Sequence, residues 1–578
     1  MKKILLLFIL TCTTFSLSAG PIGEARARQI AEEFFAEHST TRSWEPIELE
    51  WAGNAINEPI NIGDKLNTSL MYIYNRGENS GFVVVAGDSN VTPIIAYSLD
   101  STINTNDMAE ATREILDAWC KQIDAARKEQ IPATTHVTTR SGDELLYETA
   151  LWNQGEPYNL EAPIYDGYRS VTGCVATAMA IVCHYHRWPE YGVGTTAEYS
   201  YYDAYDVLRT VPENKLGRKY DYDNMLFDYN YGYNNTEANA VAALMKDMGT
   251  SVRMSYHYTA SGAYSESVVY ALANNFSYSK DIMVYSRDNY DTATWNNMMR
   301  ENVKKYGPTF YAGSSAAGGH AFVVDGYSDD YYHINYGWGG SSNGWYMLPY
   351  IEYYIRQQAL FYLKPDKDGS TKYRDNLQFY PWYTETESWV GLSSDAPEYI
   401  VGVPFNISVG GIYNVGASTF NGEVAIVHCN RDGEWKEVLD TFSITELEPS
   451  YISLYSKSIT LTKSIELGDT IMAYFKGYNA EKWEPILTYR GYTYYKVLLC
   501  ATPEEVAETL IFHYDKEQNV IFLESPNAMQ AELYRPTGEV TEVNERAHSY
   551  IWYRILDGGE HTLKVHSGGE PYIIKLTF

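Results

Sequence analysis

The chain has 578 residues, 45% hydrophobic and 15% aromatic, with 54 tyrosines and a formal net charge of −30. That length accommodates three to four domains of roughly 150 residues, and the apolar share is enough for packed cores. The charge excludes nucleic acid and an anionic membrane surface as main partners, because both demand a basic face.

The first 19 residues read as a secretory signal. Lys2 and Lys3 precede the apolar run Ile4–Leu10, and small residues end the segment at Ala19-Gly20. The run is too short to span a bilayer. No later stretch has the length and charge-free character of a membrane helix, so the predicted destination is outside the cytoplasm, without a membrane span. Residues 21–38 predict an amphipathic helix, with Ala27, Ile30, Ala31, Phe34 and Phe35 on one stripe. A hairpin follows, with strands starting at Ser69 and Phe82 around the turn 76–81. Residues 108–129 predict a second helix, with Ile115, Leu116, Trp119 and Ile123 on one face. Residues 132–143 are rich in Thr and Ser and lack apolar periodicity, as expected of an exposed, protease-sensitive linker.

A second unit, about 145–364, holds the glycine-rich motifs. Beyond Asp366 the pattern changes to strand alternations such as 423–428 and 470–475, separated by turns at Asn430–Gly433 and Pro536–Gly538. They predict a β-sandwich to about Leu499 and a smaller β unit to the end. The last segment, Glu570–Phe578, reads better as a plain final strand than as a sorting tail.

The six cysteines, at 12, 120, 174, 183, 429 and 500, contain no CxxC pair, so neither a disulfide framework nor a zinc site is expected. Cys174 follows Gly173 and opens the small, apolar helical run Val175–Ala180. A thiol at a helix start is acidified by the helix dipole and by free N–H groups, which favours a nucleophile. The competing reading is a small buried hydrophobe. Cys183 lies nine residues on, at about 900° of rotation, and so faces the other way. His184 and His186 share that remote end of the helix and read as structural.

A thiolate nucleophile needs a histidine from elsewhere in the chain. His320, in Gly318-Gly319-His320 at the head of an apolar strand, is the stronger candidate; His333 is the weaker. Asn335 fits as an acceptor that orients the imidazole, and Trp338 as a shield over that hydrogen bond. Gln154, with the Cys174 backbone N–H, fits an oxyanion hole.

Asn153-Gln154-Gly155-Glu156-Pro157-Tyr158-Asn159, Gly173-Cys174-Val175-Ala176-Thr177-Ala178, Gly319-His320-Ala321-Phe322-Val323 and Asn335-Tyr336-Gly337-Trp338-Gly339-Gly340 occur in that order. Together they resemble the streptopain family of papain-like cysteine peptidases, its interpain-like Bacteroidetes members included, over roughly residues 20–364. The resemblance implies an α+β fold, with a propeptide over 20–140 and a papain-like catalytic domain over 141–365; the strand pattern adds all-β, sandwich-like domains over 366–499 and 500–578. It implies Cys174 as nucleophile, His320 as general base and acid, Gln154 as oxyanion-hole donor, and Asn335 and Trp338 around the histidine. One departure is Tyr336, where streptopain has Trp. The resemblance further implies a zymogen whose propeptide covers the site as an intramolecular inhibitor until cleavage near Arg140-Ser141. Protein or peptide substrates are expected, with no metal or organic cofactor. The alternatives are a Cys–His amidase or transglutaminase-type acyl transferase, and a surface adhesin using the β-rich tail.

Overall fold

The computed structural model describes residues 20–38, 45–56, 69–78, 80–129, 144–314, 318–351, 355–380, 382–383, 388–389, 391–396, 398–489, 495–500, 511–515, 520–543, 548–554, 559–566 and 572–577. The signal over 1–19, the linker over 132–143 and the Arg140-Ser141 site lie outside the described residues. No helix among the described residues is long and apolar enough to cross a membrane.

The described chain divides into two compact units. The first holds the residues up to 144 together with 328–333 and 341–353. Helix α1, Glu24–His38, is built from strong helix formers, with Glu24 in its first turn and His38 in its last to complement the dipole. Its apolar stripe is buried as the spacing predicts, against Tyr72, Tyr74, Val83 and Val85 of an antiparallel sheet. The sheet runs Ile47–Gly53, Met71–Arg76, Phe82–Ala86 and Ile94–Ser98 in order. A short strand from much later in the chain, Gly344–Tyr346, pairs with the fourth of these, Trp345 opposite Tyr97. Helix α2, Glu110–Glu129, buries Ile115, Leu116, Trp119 and Ile123. Near its end Arg127 meets the fully buried Asp88 carboxylate at 3.0 Å and donates to the Ser69 and Gly87 carbonyls.

The second unit spans 145–327, 334–340 and 354–578. Its helical part contains α3 (Cys174–His186), α4 (Asn235–Ser251), α5 (Glu266–Asn275) and α6 (Thr292–Tyr306). Val175 to Cys183 are all buried, so α3 is apolar on every side and forms the centre of the core. Antiparallel strands Gly319–Ser328, Thr309–Ser314, Ile355–Phe361 and Met283–Ser286 follow one another in the sheet beside it.

Two five-stranded sheets then enclose a second core, in which Phe379, Ile407 and Val409 of one meet Val424, Ile426 and Ile471 of the other. This is the face-to-face packing of a β-sandwich. Its longest strands are Pro404–Asn414, Phe420–Cys429, Trp435–Leu447, Ile452–Thr460 and Thr470–Gly477. Among the described residues, six further strands between Ile511 and Thr577 gather around Ile521, Leu523, Leu533 and Leu563. The last of them, Tyr572–Thr577, pairs with Glu560–His566.

Replacing Arg127 by Ala strips the buried Asp88 carboxylate of its cation and two carbonyls of a donor. The expected loss is about 2–3 kcal/mol from the first unit, read as an earlier urea midpoint of that unit; an unchanged midpoint contradicts the reading of this pair as its polar anchor.

Candidate active site

The site is built around the start of α3. Gly173 takes φ 85°, and a Cβ there would sit 2.7 Å from the Met254 sulfur and 2.9 Å from the Ser261 carbonyl. Only glycine fits this turn into the helix. No side chain caps the helix at Gly173. The first turn therefore keeps unsatisfied N–H groups beside the Cys174 thiol. Thr177 Oγ1 donates to the Gly173 carbonyl at 2.9 Å and pairs with Thr172 Oγ1 at 2.9 Å, fixing the turn from within.

The loop 335–340 crosses α3. Gly337, at φ 71°, brings its backbone so close to the helix that a Cβ would meet Thr177 Cγ2 at 3.0 Å. The Gly339 N–H donates to the Trp152 carbonyl at 2.9 Å. The Thr172 N–H donates to the Gln154 carbonyl at 3.1 Å. These contacts gather the 152–154 segment, the Cys174 helix and the glycine-rich loop into one place, although they lie far apart in sequence.

His320 is the second residue of the strand Gly319–Ser328 and is mostly buried. Its imidazole hydrogen-bonds the Cys174 thiol, as do the backbone N–H groups of Ala321 and Val175. Burial alone would push this thiol up. The charge of His320, its hydrogen bond and the two backbone donors outweigh burial and hold Cys174 below the ordinary thiol value. Cys183 shows what burial does without such partners: it is pushed up to about 12. Burial likewise pushes the partly buried His184 and His186 down to about 4, so both are neutral near neutral pH. His333 falls in the first unit, edge-on to Trp345 at 5.0 Å.

The orienting contact differs from the expectation. His320 Nε2 faces the main-chain carbonyl of Tyr336 at 3.2 Å, not the Asn335 side chain. The Asn335 amide is turned away from the imidazole, donating to Thr149 Oγ1 at 2.9 Å and to the Ala150 carbonyl at 3.0 Å. Its Oδ1 accepts from the Gly337 N–H at 3.1 Å. Asn335 thus holds the turn that presents the Tyr336 carbonyl, one step removed from the histidine. A main-chain acceptor leaves no residue signature, so sequence patterning had no means of finding it. The Trp338 ring lies 6.5 Å from the imidazole at 29°, and Phe322 lies 6.4 Å from it at 22°. The two aromatic rings flank the histidine and limit water around it. The Gln154 residue is buried, and its side-chain amide is engaged in no hydrogen bond among the described residues. No cluster of three or more His, Cys, Asp or Glu among the described residues is arranged to hold a metal ion.

Comparisons with known proteins bear on this geometry. Residues 152–346 match the Peptidase C10 family, and residues 19–123 match the Spi protease inhibitor family. Streptopain from Streptococcus pyogenes is 30% identical over 367 residues, covering 59% of this chain and 88% of that protein. The thiol protease/hemagglutinin PrtT of Porphyromonas gingivalis is 30% identical over 349 residues, which span 57% of this chain and only 39% of that protein. Among solved structures, a Prevotella intermedia prointerpain A fragment aligns with TM-score 0.45 and 25% identity, covering 55% of this chain and 99% of the fragment. Active interpain A from the same organism aligns with TM-score 0.34 and 32% identity, covering 38% and 95%.

A lowered thiol pKa means that the thiolate persists as pH falls below the usual thiol range. Iodoacetamide labelling of the Cys174 peptide, followed by mass spectrometry to separate it from the exposed Cys500, is expected to stay fast there. His320→Ala removes the opposing charge and leaves burial to dominate, so the labelling profile shifts to higher pH. A profile that His320→Ala leaves in place contradicts the Cys174–His320 pairing.

Proposed function

Because this chain belongs to the streptopain family of cysteine peptidases, Peptidase C10, we propose that it is a secreted endopeptidase, made as a zymogen, whose nucleophile is Cys174 and whose general base and acid is His320. The observation that carries the reading is the Cys174 thiol at an uncapped helix start, hydrogen-bonded by His320 and held below the ordinary thiol value.

The chemistry follows from that pair. The Cys174 thiolate attacks the scissile carbonyl and forms a tetrahedral adduct. Negative charge gathers on the carbonyl oxygen, where the Gln154 side-chain amide and the Cys174 backbone N–H donate to it; such donors matter most when they are positioned beforehand. His320 gives its proton to the leaving amine, the amine departs, and a thioester remains on Cys174. His320 then takes a proton from water, the hydroxide attacks the thioester, and the thiolate is regenerated. The Tyr336 carbonyl keeps the imidazole oriented through these changes of charge, while Trp338 and Phe322 keep bulk water from competing for its hydrogen bonds.

A cysteine protease whose N-terminal unit matches a protease-inhibitor family carries its own restraint. Tethered in the same chain, an inhibitor acts at a high effective concentration that is lost on cleavage. The Thr/Ser-rich segment 132–143, with Arg140-Ser141, is the proposed place of that cut. The signal at 1–19 directs export, and the resulting domains are those drawn at 20–140, 141–365, 366–499 and 500–578.

Casein hydrolysis by the processed protein is expected to fall at least about a thousandfold in Cys174→Ala, with an unchanged fold by circular dichroism. Cys183→Ala is expected to stay within about twofold of the parent. Substantial cleavage by Cys174→Ala removes the assignment. For the zymogen, N-terminal sequencing during activation is expected to show activity rising only as residues 20–140 are lost; full activity in the intact chain contradicts it.

A further inference from the structure

The helix α5 is held at both ends by the β-sandwich. At its start the buried Glu266 carboxylate accepts from Tyr413 Oη at 3.1 Å and from Tyr489 Oη at 2.7 Å. At its end Asn274 donates to the Ala417 carbonyl at 2.9 Å and accepts from Tyr373 Oη at 2.6 Å. Tyr413, Val415, Ala417 and Tyr489 belong to the same buried core as α3 and α5. The sandwich also covers the edge of the catalytic sheet. Gln378 donates to the Val284 carbonyl at 2.9 Å, and Thr488 Oγ1 donates to Asn289 at 2.6 Å. A buried carboxylate is costly unless it is well hydrogen-bonded, so the tyrosine pair fixes Glu266 in one position.

The chain between α4 and α5 passes against the segment that precedes Cys174. Residues 255–262 form a tight hairpin closed by hydrogen bonds between Ser255 and Gly262. The hairpin is stapled to the segment before Cys174: the Val171 N–H donates to the His257 carbonyl at 3.0 Å, and Ser261 Oγ donates to the Val171 carbonyl at 2.8 Å. Its outer side carries the exposed Tyr258, whose ring lies 5.1 Å from that of the exposed Tyr168. Val171 is three residues from Cys174, and a Cβ at Gly173 would sit 2.9 Å from the Ser261 carbonyl, so the base of the hairpin lies against the residues just before the thiol.

We propose that the β-sandwich is a positioning part of the peptidase: Tyr413 and Tyr489 seat Glu266, and through α5 they hold the 255–262 hairpin as a wall on which Tyr258 and Tyr168 receive the apolar or aromatic side chains of an extended peptide. This rests on Cys174 being the nucleophile. Tyr413, Tyr489 and Glu266 touch no reacting atom and act through the hairpin.

The test uses the full chain after activation, with a peptide substrate carrying apolar residues on both sides of the scissile bond. Tyr413→Phe/Tyr489→Phe, and separately the isosteric Glu266→Gln, are measured for kcat, KM and the iodoacetamide labelling rate of Cys174. The expected result is a KM raised roughly five- to tenfold, with kcat and labelling within about twofold of the parent. The KM rise is expected to shrink when Tyr258 is also replaced by Ala, because both changes then act on one wall. An unchanged KM in the variants that fold, a loss of kcat and labelling together, or an equal KM rise with and without Tyr258 overturns the proposal. Failure of the double Phe variant to fold leaves Glu266→Gln to decide by the same criteria. If Cys174→Ala of the parent still cleaves the peptide, the nucleophile reading fails instead, and that control separates its failure from failure of the wall.

Discussion

The Cys174 thiol, held below its ordinary value at the partly buried start of α3, is the constraint around which the second unit is arranged. Burial works against a charged sulfur, so the charge survives only with compensation close at hand. His320 supplies most of it, and the N–H groups of Ala321 and Val175 the remainder. His320 and Ala321 sit on a strand far from α3 in sequence, so the strand from Gly319, and the loop 335–340 whose Tyr336 carbonyl faces the imidazole, must be held against α3. Gly337, at φ 71°, lays the loop's backbone against Thr177, where a Cβ would sit 3.0 Å from Cγ2. The apolar character of α3 on all sides then becomes intelligible. The helix is a fixed central post, and the Cys174 thiol sits on its end, where no side chain caps the first turn.

Much of this is legible in the sequence because it is written in local patterns. The stripe of Ala27, Ile30, Ala31, Phe34 and Phe35 has a helical period and is buried as that period requires. Cys183 and Cys174 separate by helical geometry alone, and the fold gives one a raised and the other a lowered pKa. What escapes are relations without a residue signature. The acceptor for His320 is a main-chain carbonyl, and Asn335 proves to be the brace of the turn that carries it. The assignment of 328–333 and 341–353 to the first unit depends on strand pairing across some 250 residues of sequence, Trp345 with Tyr97. The seat of Glu266 joins residues 147 and 223 positions apart. Neither periodicity nor motif spacing reaches that far.

The C-terminal strands alter the picture of a peptidase carrying an appended module. Interfaces between loosely tethered domains are small and wet, and relative motion is their default. Here tyrosine hydroxyls bond a buried carboxylate, side-chain amides cap a sheet edge, and sandwich residues share the core of the helical region. Such an interface behaves as part of a single folded body, and it places the sandwich in mechanical series with the residues before Cys174.

The most direct measurement of the central claim is acid quenching of the activated protein during turnover of a slow ester substrate, followed by peptide mapping. The account predicts an acyl group, attached as a thioester, on the peptide that contains Cys174. Turnover with no acyl adduct on that peptide, or with the adduct on another residue, contradicts it.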